Sequence, residues 1–162
     1  MNMERMSIIR VLLICLSGFY FSCGESIPKL PPETQTGENT FGCLVNNELV
    51  LVESEYQAKN AGANYNREND QLQITAQCQF GQQFVFFMND PYKIQDVGSI
   101  DTIRYLPPNA SEWMEATQTG SFSITRLDSG IVSGTFSFDL NENGKTPIHV
   151  TKGRFDLTLN TY

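Results

Sequence analysis

The chain has 162 residues, 40% of them hydrophobic, and eighteen acidic side chains against eleven Lys and Arg, for a formal charge of −7. That balance leaves no basic patch to meet phosphates, which argues against nucleic acid as a partner. A moderate acidic excess serves solubility.

Residues 1–10 carry Arg5 and Arg10 against Glu4, and residues 11–21 follow as an apolar stretch of eleven. A membrane-spanning helix needs about twenty apolar residues. A basic start before a short apolar stretch is the order of a secretory signal peptide. Ser22-Cys23-Gly24 then puts a small residue directly before a cysteine. Lipoprotein processing needs that small residue so that the peptidase accommodates the bond, and needs the cysteine because its thiol carries the diacylglycerol. Tyr20 and Phe21 are bulkier than is usual there, and Cys15 is a worse candidate because Ile14 before it is large and branched. The expectation is therefore a signal peptide over residues 1–22 and a lipidated Cys23. An ordinary signal peptide, leaving Cys23 as a free thiol, is the alternative. Acyl chains on Cys23 would hold the protein on a membrane, expected to be the outer membrane at its periplasmic or cell-surface face.

Removing residues 1–22 takes away two Arg and one Glu, so the charge of the remaining 140 residues becomes −8. That length suits one domain with a real core. Residues 23–39 comprise the lipidated cysteine and a Pro-rich segment with almost no apolar periodicity, expected to be a flexible tether. Residues 40–162 are expected to fold as one antiparallel β domain.

Phe41, Cys43 and Val45 share one face of a first strand. Asn46-Asn47 can take the positive φ of a tight hairpin turn, with residues 48–53 returning. Residues 54–69 read as polar and irregular. Leu72, Ile74, Ala76 and Cys78 alternate with polar residues, giving a half-buried strand. Residues 82–88 are apolar on both faces, as in a strand near the middle of the structure. Weaker strands are expected over 100–105 and 112–117. Three further segments follow, at 121–127, at 131–140 and from Ile148 past Gly153 to Leu159. Nothing after the signal peptide shows a helical period. Eight to ten strands at this spacing predict an all-β fold, an antiparallel sandwich or barrel.

Three segments resemble a known family. Thr40-Phe41-Gly42-Cys43-Leu44-Val45-Asn46 after the Pro-rich tether, Ile131-Val132-Ser133-Gly134-Thr135-Phe136-Ser137-Phe138, and Gly153-Arg154-Phe155-Asp156-Leu157 are similar to the "TFGCLVNG", "ISGTFxF" and "GRFD" segments of small lipoproteins of Bacteroidetes-type bacteria. Asn47 stands where that family has Gly, and the following strand lacks its Trp. The resemblance implies lipid anchoring and a β fold. The family's function is unknown, so it implies no active site. In secreted proteins of such bacteria a short Asp-Thr-apolar pattern is often O-glycosylated, which singles out Thr102 in Asp101-Thr102-Ile103, although so short a pattern also arises by chance. Gly134 and Gly153 inside strand patterns suggest bulges or close backbone approach.

Candidate chemistry is sparse. Cys43 and Cys78, the cysteines left in the domain, are either disulfide-bonded or two small buried thiols. Asp139-x-Asn141-x-Asn143-Gly144 opens like a calcium loop, but Val150 occupies the twelfth position, where a bidentate acid is needed. The one histidine, His149, has no zinc-type spacing to the cysteines and no Gly-x-Ser-x-Gly turn to serve, so an exposed strand residue is expected and no metal or cofactor is called for. Asn109-Ala110-Ser111 is a formal N-glycosylation sequon with no bearing on a bacterial lipoprotein. Glu112 and Glu115 flank Trp113, as in a small glycoside hydrolase, but positions three apart on a strand face opposite ways. Trp113, with Tyr105 and Tyr92, could instead stack sugars in a glycan-binding accessory lipoprotein, and core packing is the plainer expectation for Trp113. The leading expectation is a lipid-anchored envelope protein that is not an enzyme and binds a protein, a glycan or a small ligand.

Overall fold

The computed structural model describes residues 29–52, 60–93, 100–115, 119–128, 130–141 and 146–162. Cys23, the signal peptide and Asn143-Gly144 of the calcium-like loop lie outside them. The first hairpin forms as the sequence predicts: β1 (Thr40–Val45) and β2 (Glu48–Leu51) pair antiparallel across Asn46 and Asn47, at φ 49° and 68°. Asparagine tolerates this left-handed geometry because its short amide bonds locally. Here the Asn46 Oδ1 accepts the His149 N–H at 2.8 Å.

Residues 54–69 were expected to be irregular, yet they contain β3 (Ala61–Asn66). Its Ala-Gly-Ala-Asn stretch has little intrinsic strand preference. The strand is held by antiparallel pairing to β4 (Gln71–Gln77) and by parallel pairing to the end of β10 (Ile148–Thr161), where Leu159 lies opposite Ala63 and Thr161 opposite Tyr65. The chain continues through β5 (Gln83–Asn89), β6 (Thr102–Leu106), the two-residue β7 (Met114–Glu115), β8 (Gly120–Asp128) and β9 (Ile131–Leu140). Only Met114 and Glu115 of the segment expected at 112–117 pair as strand among the described residues.

Among the described residues the ten strands make one mostly antiparallel sheet that does not close. One run is β8-β9-β10-β1-β2 and the other β3-β4-β5-β6-β7, joined where β10 passes from β1 to β3. A bridge from Val52 to Cys78 ties the runs again. Rings from the two runs meet in the middle. Phe41 of β1 lies 5.3 Å from Phe84 of β5, and Phe136 of β9 lies 5.1 Å from Phe86 of β5. The inward faces follow the period-two pattern, with Leu72, Ile74, Phe84, Phe86, Met88, Val132 and Leu157 fully buried. Gly153 sits at a bulge of β10 under the Phe136 ring, where a Cβ would come within 2.2 Å of the ring.

The outer face of β10 explains the Gly-Arg-Phe-Asp segment. Arg154, Asp156 and Thr158 point outward at alternate positions, and each grips the preceding linker. Arg154 Nη1 donates to the Pro31 carbonyl at 3.0 Å, and its Nη2 lies 3.4 Å from Glu33. Asp156 accepts from Thr34 Oγ1 at 2.6 Å, Thr36 N at 3.0 Å, Gly37 N at 2.8 Å and, from β9, Ser133 Oγ at 2.7 Å. Thr158 donates its N–H and its hydroxyl to Asn39 Oδ1. The last part of the expected flexible tether, from Pro31 onward, is thus laid along the sheet rather than free. Its prolines keep it extended, and Asn39, at φ 56°, turns it back into β1.

Candidate functional site

The inward faces of β3 and β10 run out past the core at one end of the fold and leave an open hollow of about 270 Å³. Tyr65 and Leu159 form its inner wall, half-buried against the core. Thr161 extends the β10 side, and Arg67 follows β3 in the turn. Asp128 contributes from the end of β8, beside the Gly130 turn, whose carbonyl accepts the Leu159 N–H at 2.7 Å. Tyr92 completes the lining from a single 3₁₀ turn, Pro91–Lys93, and is 66% exposed.

The two tyrosine rings meet edge to face, with centroids 6.2 Å apart. This arrangement suits the aromatic quadrupole and occupies one face of one ring only, while Tyr92 keeps most of its surface in solvent. Tyr65 donates its hydroxyl to Asp70, a bond that pushes its pKa up to about 12. The ring is therefore a neutral, fixed wall. Asp128 already accepts from Arg126 Nε at 2.9 Å. A carboxylate has about four acceptor positions, so it can take further donors. Among the described residues no hydrogen bond or ion pair ties down the Arg67 side chain, while its backbone N–H is held by the Tyr162 carbonyl at 3.1 Å.

A second open hollow, about 390 Å³, lies at Pro107, Asn109, Ala110, Ser111, Glu112 and Met114. Trp113 beside it is 39% exposed and lies on the surface, not in the core as expected, because it precedes the short β7 and only Met114 after it turns inward. Glu112 lines this hollow, whereas Glu115 turns to Arg104, its carboxylate 3.0 Å from the guanidinium. The two acids do not face one space, but Glu112 lies outside β7, so strand alternation is not what separates them.

Tyr105 is not available for stacking a sugar. It is 1% exposed, its ring 4.7 Å from Phe84, and burial pushes its phenol up to about 12. On β6 it shares parity with Ile103, and both face the core. Thr102, half-buried at the start of β6, follows Asp101, whose carboxylate accepts the Asn89 N–H at 2.6 Å. His149 is exposed, with Nδ1 2.7 Å from Asp139. Among the described residues no three His, Cys, Asp or Glu side chains gather as a metal site, and no helix is long and apolar enough to cross a membrane.

Cys43 and Cys78 are free thiols, both buried. Val50 pairs with Cys43 and Val52 bridges Cys78, so β2 lies between them. Burial, with Cys78 nearby, pushes the Cys43 thiol well up, and burial pushes Cys78 up to about 12. A protonated thiol is a poor nucleophile. Iodoacetamide at neutral pH is therefore expected to label neither cysteine in the native protein and both after denaturation, with no reductant added. A need for prior reduction, read by mass spectrometry, would show a bond instead.

Tyr65, Arg67, Asp128 and Thr161 were not singled out from the sequence, which pointed only to Tyr92 among the lining residues. No family model, curated protein or solved structure matches the chain.

Proposed function

We propose that this is a lipid-anchored cell-envelope protein, held at the outer membrane through Cys23, whose β domain is a non-enzymatic binding module. On this reading it belongs with the small lipoproteins its three motifs resemble, and its two runs of strands pack as a sandwich. The observation that carries the binding half is the hollow at Tyr65 and Tyr92. It combines exposed aromatic surface with an Arg, an Asp and a Thr, the mixture of apolar surface and a few convergent polar groups that ligand sites use. The anchor rests on the basic start, the short apolar stretch and Ser22-Cys23.

The docked linker suits this role. Only residues 24–30 separate Cys23 from Pro31, so even a fully extended linker keeps Pro31 within about 28 Å of the lipidated residue. The domain would be displayed close to the bilayer. The intact mass of the native protein extracted from membranes tests the anchor. Residues 23–162 plus acyl chains is the expected species. A soluble, unacylated chain starting elsewhere would overturn it.

A further inference from the structure

The hollow at Tyr65 and Tyr92 has a chemistry more specific than a general binding surface. We infer that it is a subsite for one ring of a neutral saccharide, a reading that rests on the binding module proposed above and names its ligand class.

A pyranose offers two surfaces to a protein. Its axial C–H groups make an apolar face that packs on an aromatic ring, and its hydroxyls each donate one hydrogen bond and accept others. Tyr92, two-thirds exposed and in edge contact with Tyr65, supplies a ring face of the right kind. Tyr65 is held by Asp70, so the pair is positioned before any ligand arrives. Around the rings stand an acceptor-only group, a donor-only group and a hydroxyl: the Asp128 carboxylate, the Arg67 guanidinium and Thr161. Neighbouring sugar hydroxyls need both donors and acceptors, which a carboxylate with a guanidinium provides, and with Arg126 on Asp128 and Asp70 on Tyr65 the surroundings balance two cations against two acids. Arg126 orients the Asp128 carboxylate, its Nε 2.9 Å from Oδ1. At about 270 Å³ the space is at the small end for ligand sites, matching a single ring rather than a buried chain. Openness at the strand ends lets further rings of an oligosaccharide extend into solvent.

The alternative aromatic candidates fare worse. Tyr105 is in the core, and Trp113 does not line the neighbouring hollow.

The test is saturation-transfer NMR and calorimetry on the full lipoprotein in a detergent without sugar headgroups. The probes are glucose, galactose, mannose, N-acetylglucosamine, their β-linked dimers, and glucuronate. At least one neutral sugar should bind, with ring C–H protons receiving the strongest saturation. Tyr92→Ala and Asp128→Asn should each weaken binding roughly tenfold or more, while Trp113→Ala leaves it unchanged. Exposed Tyr92 can be replaced without opening the core, so loss of binding in a folded variant reads the site. Binding of none of the neutral sugars, binding of glucuronate only, or binding indifferent to both variants would overturn the assignment. Acylated protein that binds no sugar would remove this inference and leave the anchored module standing. Sugar binding by an unacylated, soluble protein would do the reverse.

Discussion

Replacing Asp156 with alanine is expected to cost about 3 kcal/mol of stability and to release the linker from the sheet. The carboxylate lies on the outer face of β10, 1% exposed, and one group satisfies donors from Thr34, Thr36, Gly37 and Ser133. Its removal leaves these donors, including a fully buried serine hydroxyl, with no acceptor in place. Unmet buried polar groups cost more than the bonds contribute when made. Burial by itself would raise the carboxyl pKa, but the bonds from Thr34, Ser133, Thr36 and Gly37 outweigh it and hold the group well below the usual carboxylate range. A folded pKa below the unfolded value of about 3.9 gives a stability contribution that is complete above that value. It drains away as pH falls toward the folded pKa. Urea midpoints for wild type and Asp156→Asn, measured from pH 7 down to pH 2.5, should therefore be far apart at neutral pH and draw steadily closer below about pH 4. A gap that stays constant on acidification would show that the charge is not what the linker binds. In the variant, a Glu-specific protease should cut at Glu33 and Glu38 under conditions that leave wild type intact.

The clasp also marks how far the sequence could be read. The Gly-Arg-Phe-Asp segment was recognisable as a motif, and Gly153 as a site of close approach. The partners of Asp156 were not, because Thr34 and Gly37 lie about 120 positions away and nothing local ties them to β10. The Pro-rich stretch announced an extended chain but not that its second half has a surface to lie on. Strands with strict alternation were plain: Leu72, Ile74 and Ala76 are all buried, as their period requires. β3 was hidden because Ala61, Gly62 and Ala63 carry no strand preference and owe their conformation to non-local pairing with β4 and β10. Tyr105 was misread for a different reason. The alternation with Ile103 was visible, and it alone would have sent the ring inward. The hollow was illegible because β3, the 3₁₀ turn, β8 and β10 each contribute only one or two residues to it, and only the fold brings them together.

The other large effect concerns the centre of the core, where truncating one ring should remove stability and also rescue a second substitution. Phe136 of β9 is 2% exposed and lies within 6.4 Å, centroid to centroid, of Phe41, Phe84, Phe86, Phe138 and Phe155. These neighbours come from both runs of the sheet, so the ring joins the two inner faces. Phe136→Ala should cost about 3–5 kcal/mol, the range for emptying a phenyl-sized site whose walls relax only in part. Gly153→Ala should also destabilise, by about 1–3 kcal/mol, because its new Cβ would fall within 2.2–2.5 Å of the Phe136 ring. Shortening β10's contact is no remedy, since the bulge at Val150 to Gly153 sets how closely the two strands approach. With the ring gone, the methyl group would enter vacated space. The double variant Phe136→Ala with Gly153→Ala should then be no less stable than Phe136→Ala alone. The double-mutant cycle should show a coupling of at least about 1 kcal/mol, of the sign that relieves strain. Chemical denaturation of the four proteins measures it. Additive losses would mean that the glycine is required by the bulge itself, where the preceding Lys152 already sits at φ 53°, and not by the ring above it.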